Sequence, residues 1–437
     1  MKLYIFTLSV IILFIGCGSD DTSKDKEVKV TTFDTVNTTT NTEVSKETKT
    51  TEPDTISKVN ILREKSGLKK LSTNIILNDS ALNHAKYLEI NDKVGHDEIS
   101  SDSGFTGENG SLRAIYSGYK SKNVSENVSV GQETEQKSLD GLMAAIYHRF
   151  GFLSFRINEI GYGMIDKSYV YNMGNTYLNT LCNSSSFEGT GEYYYDICNN
   201  KDFRIAKDIY DNAINKVIDS NPKYVIYPYP NQTDVDPVFY EETPDPLPSY
   251  GVSGYPISIE FNENDFSMDE FEIISFGLKD YYANNIELIE HNNGSTIMNS
   301  VNDFNEHFNN YQFAIFPKNR LNYNEIYNVE FSYKYKGVID NITWSFRTKS
   351  LQNLIKYNNS SLDIALKTEY YIYLEPNDKN DLIKSYNTDC RYNNKGKLEI
   401  VSSLYDRNTL KINIKGTLVE YCDINIDDSK YVHLNIK

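Results

Sequence analysis

The sequence predicts a multidomain chain of two kinds of structure: a mixed helix and strand domain, α+β or an αβα sandwich, followed by all-β modules. Three observations predict it. At 437 residues the chain is long enough to bury two or three separate cores. Apolar residues recur at helical spacing between about residues 54 and 150 and at period two beyond residue 250. Tyrosine occurs 35 times and tryptophan once, a composition for strand faces rather than for a long helical bundle. Charge narrows the partners. Lys plus Arg is 44 against 61 Asp plus Glu, a net charge of -17 with no local basic patch, which excludes nucleic acid.

Residues 1–17 read MKLYIFTLSVIILFIGC, with Lys2 ahead of an apolar run from Leu3 to Ile15. About 13 apolar residues are too few for a membrane span, which needs ~20, and suit a secretory signal. Phe14-Ile15-Gly16-Cys17 resembles the bacterial lipobox, with Phe14 where Leu is usual, and this implies that Cys17 is lipidated. Gly18 in place of aspartate leaves no obvious inner-membrane retention mark. The chain is therefore expected to be exported and lipid-anchored to the cell membrane or outer membrane, facing the periplasm or the cell surface. Residues 18–53 are Thr, Ser, Lys, Asp, Glu and Val with almost no aromatic ring, the composition of a disordered tether. Such a tether has a root-mean-square span of ~30 Å.

Residues 54–180 carry the mixed pattern. A helix capped by Asp54 or Thr55 uses Ile56, Val59 and Leu62 and ends at Gly67; a second, capped by Asn78 or Asp79, aligns Leu82, Ala85 and Leu88. A third is expected from about Ser138 to His148, through Leu139, Leu142, Met143 and Ile146. The stretch EIGYGMIDKSYVYNMGN reads as strands interrupted by Gly161 and Gly163.

Residues 181–249 are expected to hold a disulfide loop, a helix over Asp202–Ile218 and a junction running extended between domains, because seven of the 11 prolines fall between Pro222 and Pro248. Four cysteines remain after Cys17, and separation along the chain pairs Cys182 with Cys198 and Cys390 with Cys422. No CxxC spacing suggests a structural zinc site. Residues 250–349 alternate strictly, as in Ile257, Ile259 and Phe261 or Ile342, Trp344 and Phe346, and predict a β-sandwich. Residues 350–437 repeat the theme as a small β-module clamped by Cys390 and Cys422.

The run LREKSGLKKLSTNIILNDSALNHAKYL, then GHDEI, SENVSVG, LMAAIYHRFGFL and NEIGYG, resembles the bacterial branch of the CAP superfamily (cysteine-rich secretory, antigen 5 and pathogenesis-related proteins) over Thr55 to Asn175. The resemblance implies an αβα sandwich with a cleft lined by two histidines and two glutamates, which in several members holds a divalent metal. Matched position by position, it implies His96 and His148 as the histidines and Glu126 as the first glutamate, and it puts Ala145 where the second glutamate belongs. Residues 250–349 resemble the Ig-like modules of bacterial surface proteins, which implies a spacer or binding platform.

Two imidazoles and a carboxylate from His96, Glu126 and His148 are an adequate set for Zn²⁺, with a fourth position for water. With alanine at 145 a separate general base is missing, and nothing in the sequence positions Glu108, Glu133 or Glu135 to replace it. No GxSxG or HExxH motif occurs. The expectation is a binding or interaction protein of the cell envelope, not an enzyme, whose cleft holds a divalent metal or small ligand and whose partner is a protein, lipid or envelope polymer. One alternative is a metal-assisted, peptidase-like hydrolase with Glu126 as the catalytic candidate; another is a purely structural scaffold or adhesin. His84 is expected to pack with its ring hydrogen-bonded, and Arg149 to pair with a carboxylate or bond helix carbonyls.

Overall fold

The computed structural model describes residues 54–184, 191–358, 361–392, 397–417, 419–427 and 430–437. The expected signal peptide, the lipidation site Cys17 and the tether lie outside the described residues. Among the described residues no helix is long and apolar enough to cross a membrane.

The first unit is an αβα sandwich. Helix α1 (Thr55–Lys65) starts at Asp54, whose side chain accepts from Ser57 N. Strand β1 (Ser72–Thr73) leads into α2 (Ile75–Asn91), capped by Asn74 rather than by Asn78 or Asp79. The reason is that Asn74 Oδ1 takes the N–H groups of Ile76 and Leu77, while Asn78 Oδ1 is spent on Tyr162 N at 2.9 Å. Helix α3 (Gly110–Ser117), too short to show a clear period, precedes β2 (Val124–Val130). The expected third helix is two: α4 (Glu135–Ala144) and α5 (Ile146–Leu153), broken at Ala145, whose ψ of 115° is extended. Strands β3 (Glu159–Ile165) and β4 (Ser168–Gly174) then form an antiparallel pair, followed by α6 (Thr176–Cys182).

The sheet order is β1-β3-β4-β2. Helix α2 covers one face through Ala81, Ala85 and Leu88 against Val128 and Val170; Val59, Leu139, Leu142 and Phe152 cover the other against Ile160, Tyr171 and Met173. Gly161 and Gly163 do not interrupt β3. They let α2 rest on it: a Cβ at either position would lie 2.1 Å from the backbone, at Leu77 C and Leu82 N respectively.

The Cys182–Cys198 bridge ties the end of α6 to the connection between β5 (Tyr193–Tyr195) and β6 (Arg204–Ala206), which pair as a small hairpin. The helix expected from Asp202 begins only at α7 (Lys207–Ile218), because Arg204 to Ala206 pair with β5. The proline-rich stretch is not merely extended. It supplies β7 (Tyr224–Tyr227) and β8 (Gln232–Val235) to the sandwich, which therefore begins well before residue 250.

With β9 (Ile257–Phe261), β10 (Phe271–Lys279), β11 (Gln312–Ile315), β12 (Ile326–Tyr335) and β13 (Val338–Thr348), they make two sheets, ordered β11-β9-β7 and β10-β12-β13-β8. Phe261, Phe276, Phe331, Trp344 and Phe346 fill the space between the sheets. This core is continuous with the one beneath α1, α4 and α5, so the first unit and the sandwich share one apolar interior. Arg149 of α5 crosses the join. Buried, it donates to Met143 O and Pro256 O and lies over the rings of Tyr227 and Tyr255, at 5.0 and 4.9 Å.

The last module packs two further sheets, β14-β16-β19-β18 and β15-β21-β20-β17, from β14 (Leu354–Lys356), β15 (Leu362–Ile364), β16 (Glu369–Tyr373), β17 (Tyr386–Tyr392), β18 (Leu398–Asp406), β19 (Thr409–Gly416), β20 (Val419–Ile426) and β21 (Lys430–Ile436). Cys390 and Cys422 are register partners on β17 and β20 and are bridged. Asp406 docks the module onto the sandwich by accepting from Arg320 and Tyr323.

Candidate functional site

The three residues expected at the cleft come from three separate segments. His96 lies in the loop after α2, and Glu98 holds that loop shut: its buried carboxylate accepts from Thr106 N at 2.6 Å, Gly107 N at 3.2 Å and His84 Nδ1 at 2.9 Å. His84 is thus fully buried, with Nε2 3.1 Å from Gly95 O, and packs as expected. Burial pushes the Glu98 carboxyl up, and the His84 and Thr106 hydrogen bonds with the Arg113 charge bring it below its ordinary range.

Glu126 projects from β2. One carboxylate oxygen, Oε1, accepts from Arg113 Nη2 at 2.6 Å and from His96 Nδ1 at 3.1 Å. The Asn172 amide, oriented to donate, lies 3.0 Å from Oε2. Burial alone would raise the Glu126 carboxyl, but the His96 hydrogen bond and the charges of Arg113 and His84 outweigh it and hold it at about 2. It is an anion that holds a neighbour in place, not a base poised near neutral pH.

His148 is the third residue of α5, and its carbonyl accepts from Asn127 Nδ2 at 2.8 Å. Ala145, standing at the cap of this helix, has no side chain to satisfy the first N–H groups. A carboxylate does so from 96 residues downstream of Ile146. Glu242 Oε1 accepts from Ile146 N at 2.6 Å, and Oε2 accepts from Tyr147 N at 3.2 Å and faces His148 Nδ1 at 3.0 Å. Its side chain is 2 % exposed, pinned between the buried Phe239 and Leu247, which cluster with Ile146 and Phe150. Tyr147 OH donates to Asp303 Oδ1 and accepts from Asn305, so a loop of the sandwich also borders the cleft.

The His96 and His148 rings are stacked, with centroids 6.0 Å apart and planes inclined by 20°. Each turns Nδ1 to a buried carboxylate, and Nε2 of neither has a hydrogen-bond partner among the described residues. His96 is the more open, with its side chain 43 % exposed against 13 % for His148.

Sequence reasoning placed His96, Glu126 and His148 near one another and missed Glu242. No local pattern marks Glu242, whose partners lie in another domain. The other glutamates are elsewhere: Glu108 is exposed, Glu133 pairs with Lys167, and Glu135 accepts from Thr55 and Tyr162.

The donor set fits a divalent cation in part. Two imidazoles, each hydrogen-bonded through Nδ1 to a carboxylate, are the usual form of metal-binding histidine. Glu126 stands behind His96 rather than beside its Nε2, and among the described residues no group of three His, Cys, Asp or Glu forms a metal cage. A cavity of about 240 Å³, lined by Arg156, Tyr210, Asp211 and Glu263 among others, borders neither histidine.

Residues 56–183 match the sequence model of the cysteine-rich secretory protein family, CAP. The first unit, α1 to α6, is a CAP domain. Among solved structures, an extracellular protein containing an SCP domain from Bacillus anthracis is similar at 22 % identity over 27 % of this chain and 38 % of its own, with a TM-score of 0.25. An outer surface protein of Borrelia burgdorferi is similar at 18 % identity over 27 % of this chain and 85 % of its own, with a TM-score of 0.23. Tandem Ig domains of titin align at 6 % identity over 49 % of this chain and 96 % of their own, with a TM-score of 0.17. The chain thus spans well under half the length of the first of these. No curated protein matches it.

Proposed function

We propose that the chain is an exported, lipid-anchored protein of the cell envelope that binds through its CAP cleft, with Cys17 as the lipidated residue and the β-modules as a platform. The ligand is a divalent cation such as Zn²⁺, held by Nε2 of His96 and of His148, with its remaining positions open to water or to a small ligand. The observation that carries this reading is the pairing of two stacked imidazoles with two buried carboxylates through Nδ1. When bound, the metal supplies a positive centre that recruits an anionic or carbonyl-bearing ligand. The protein's part is to fix both rings and to keep their Nε2 lone pairs free.

Glu126 favours binding over hydrolysis. Held at about 2 and engaged by Arg113, it is a poor proton acceptor near neutral pH. Purified protein loaded with Zn²⁺ and dialysed is expected to retain about one equivalent, set by the single His pair, and to lose it in the His96→Ala, His148→Ala double variant. No metal in either sample would remove the cation from the reading. Turnover of a peptide or envelope polymer that vanished in Glu126→Gln, with the fold intact, would favour the hydrolase instead.

A further inference from the structure

We propose that Glu242 sets the tautomer of His148, so that the cleft of this CAP domain is a site of two domains, completed by the connection between β8 and β9 of the sandwich. The consequence for cation binding rests on the function proposed above; the tautomer does not.

A carboxylate only accepts hydrogen bonds. Glu242 Oε1 is taken by the N–H of Ile146, at 2.6 Å, and Oε2 is shared by the N–H of Tyr147, at 3.2 Å, and His148 Nδ1, at 3.0 Å. The imidazole nitrogen on that side must therefore carry the proton, and Nε2 keeps its lone pair for the cleft. The same carboxylate replaces the cap that Ala145 lacks and stands at the positive end of the helix, two reasons for it to stay in place. Its own position is fixed from outside the CAP domain. Phe239 exchanges both backbone hydrogen bonds with Ser253 and packs on Phe316, and Asp245 O accepts from Asn305 Nδ2. Nothing within residues 56–183 supplies this carboxylate, since position 145 is alanine. Glu242 is a positioning residue, acting on a ligand through His148.

The test is Glu242→Gln in the full chain. Glutamine keeps a carbonyl oxygen for Ile146 N but presents an amide N–H₂ to His148 Nδ1, which must then accept and send its proton to Nε2. Long-range proton–nitrogen spectra of the imidazoles at alkaline pH should show an Nδ1–H tautomer for His148 in the natural chain and an Nε2–H tautomer in Glu242→Gln. His96, which keeps Glu126, should be unchanged. Glu242→Asp, which retains an acceptor-only group, should keep the Nδ1–H form and guards against loss of fold as an explanation. An unchanged His148 tautomer in Glu242→Gln would overturn the inference. Zn²⁺ affinity should fall by about 10- to 100-fold in Glu242→Gln. A switched tautomer in a chain that never binds Zn²⁺ would uphold the assignment of Glu242 and overturn the binding reading instead.

Discussion

Glu260 offers a stability experiment whose size and sign the structure dictates. It lies on β9, on the face turned away from Ile257, Ile259 and Phe261; the residue is 6 % exposed, and Oε2 has no hydrogen-bond partner. Burial, and behind it the charge of Glu263, pushes its carboxyl from 4.5 up to about 8 against the opposing pull of Gln312, Asn309 and Arg156. A carboxyl raised on folding contributes stability that is full below its unfolded value and is lost as pH rises through its folded value. The window is therefore pH 4.5 to about 8, and a shift of that width is worth about 5 kcal/mol across it, or roughly 3 kcal/mol by pH 7. Glutamine has nearly the same shape and never ionises. Glu260→Gln should thus stabilise the protein by up to about 3 kcal/mol at pH 7 and by close to nothing at pH 4.5. Urea unfolding of both proteins at the two pH values measures the difference directly. An equal change at both would mean that folding leaves the Glu260 carboxyl unshifted, and a loss that grows with pH would show that it is ionised and paired in the folded protein; either would refute the reasoning.

Two other substitutions probe the buried cations. Arg149→Ala removes three hydrogen bonds, to Met143 O, Pro256 O and Ser258 Oγ, and the contacts with Tyr227 and Tyr255, and should cost at least about 3 kcal/mol. Because the CAP domain and the sandwich share a core, calorimetry should show their melting falling together; a drop confined to one of two separate transitions would count against a shared core. Arg113→Gln leaves Glu98 and Glu126 buried near one another without the guanidinium that faces both, at 3.8 and 2.6 Å, and should cost about 3–5 kcal/mol in urea unfolding. A cost under about 1 kcal/mol would mean that the hydrogen bonds to His84 and His96 hold the two carboxylates without the guanidinium.

The sequence was most legible where a contact is local or where a pattern repeats. The start of α1 at Asp54 or Thr55, the period-two strands of the sandwich and both disulfide pairs could be read directly because each depends on a few neighbouring residues or on spacing alone. Long-range contacts hid the rest. Gly161 and Gly163 look like interruptions until α2 is seen lying on them, and Arg204 to Ala206 look helical until β5 pairs with them. Ser258 and Glu260 alternate with apolar neighbours as if facing water, but the CAP domain covers them, which is why Arg149 reaches Ser258 and why Glu260 is unusual. Ala145, at the break between α4 and α5, offers no carboxylate of its own. That one arrives from residue 242 depends on the packing of Phe239 and Leu247 and has no trace near His148 in the chain.

The interior shared by the CAP domain and the sandwich bears on how such a chain can be inherited. A crossover anywhere between residues 184 and 224 would look, on the sequence, like a clean exchange of one cassette for another. It would instead separate Arg149 from the carbonyl of Pro256 and His148 from Glu242, two partnerships that are each useless in half. In this chain the N–H groups that Ala145 leaves uncapped depend on Glu242. The two halves of this protein are therefore expected to travel through recombination as one hereditary unit.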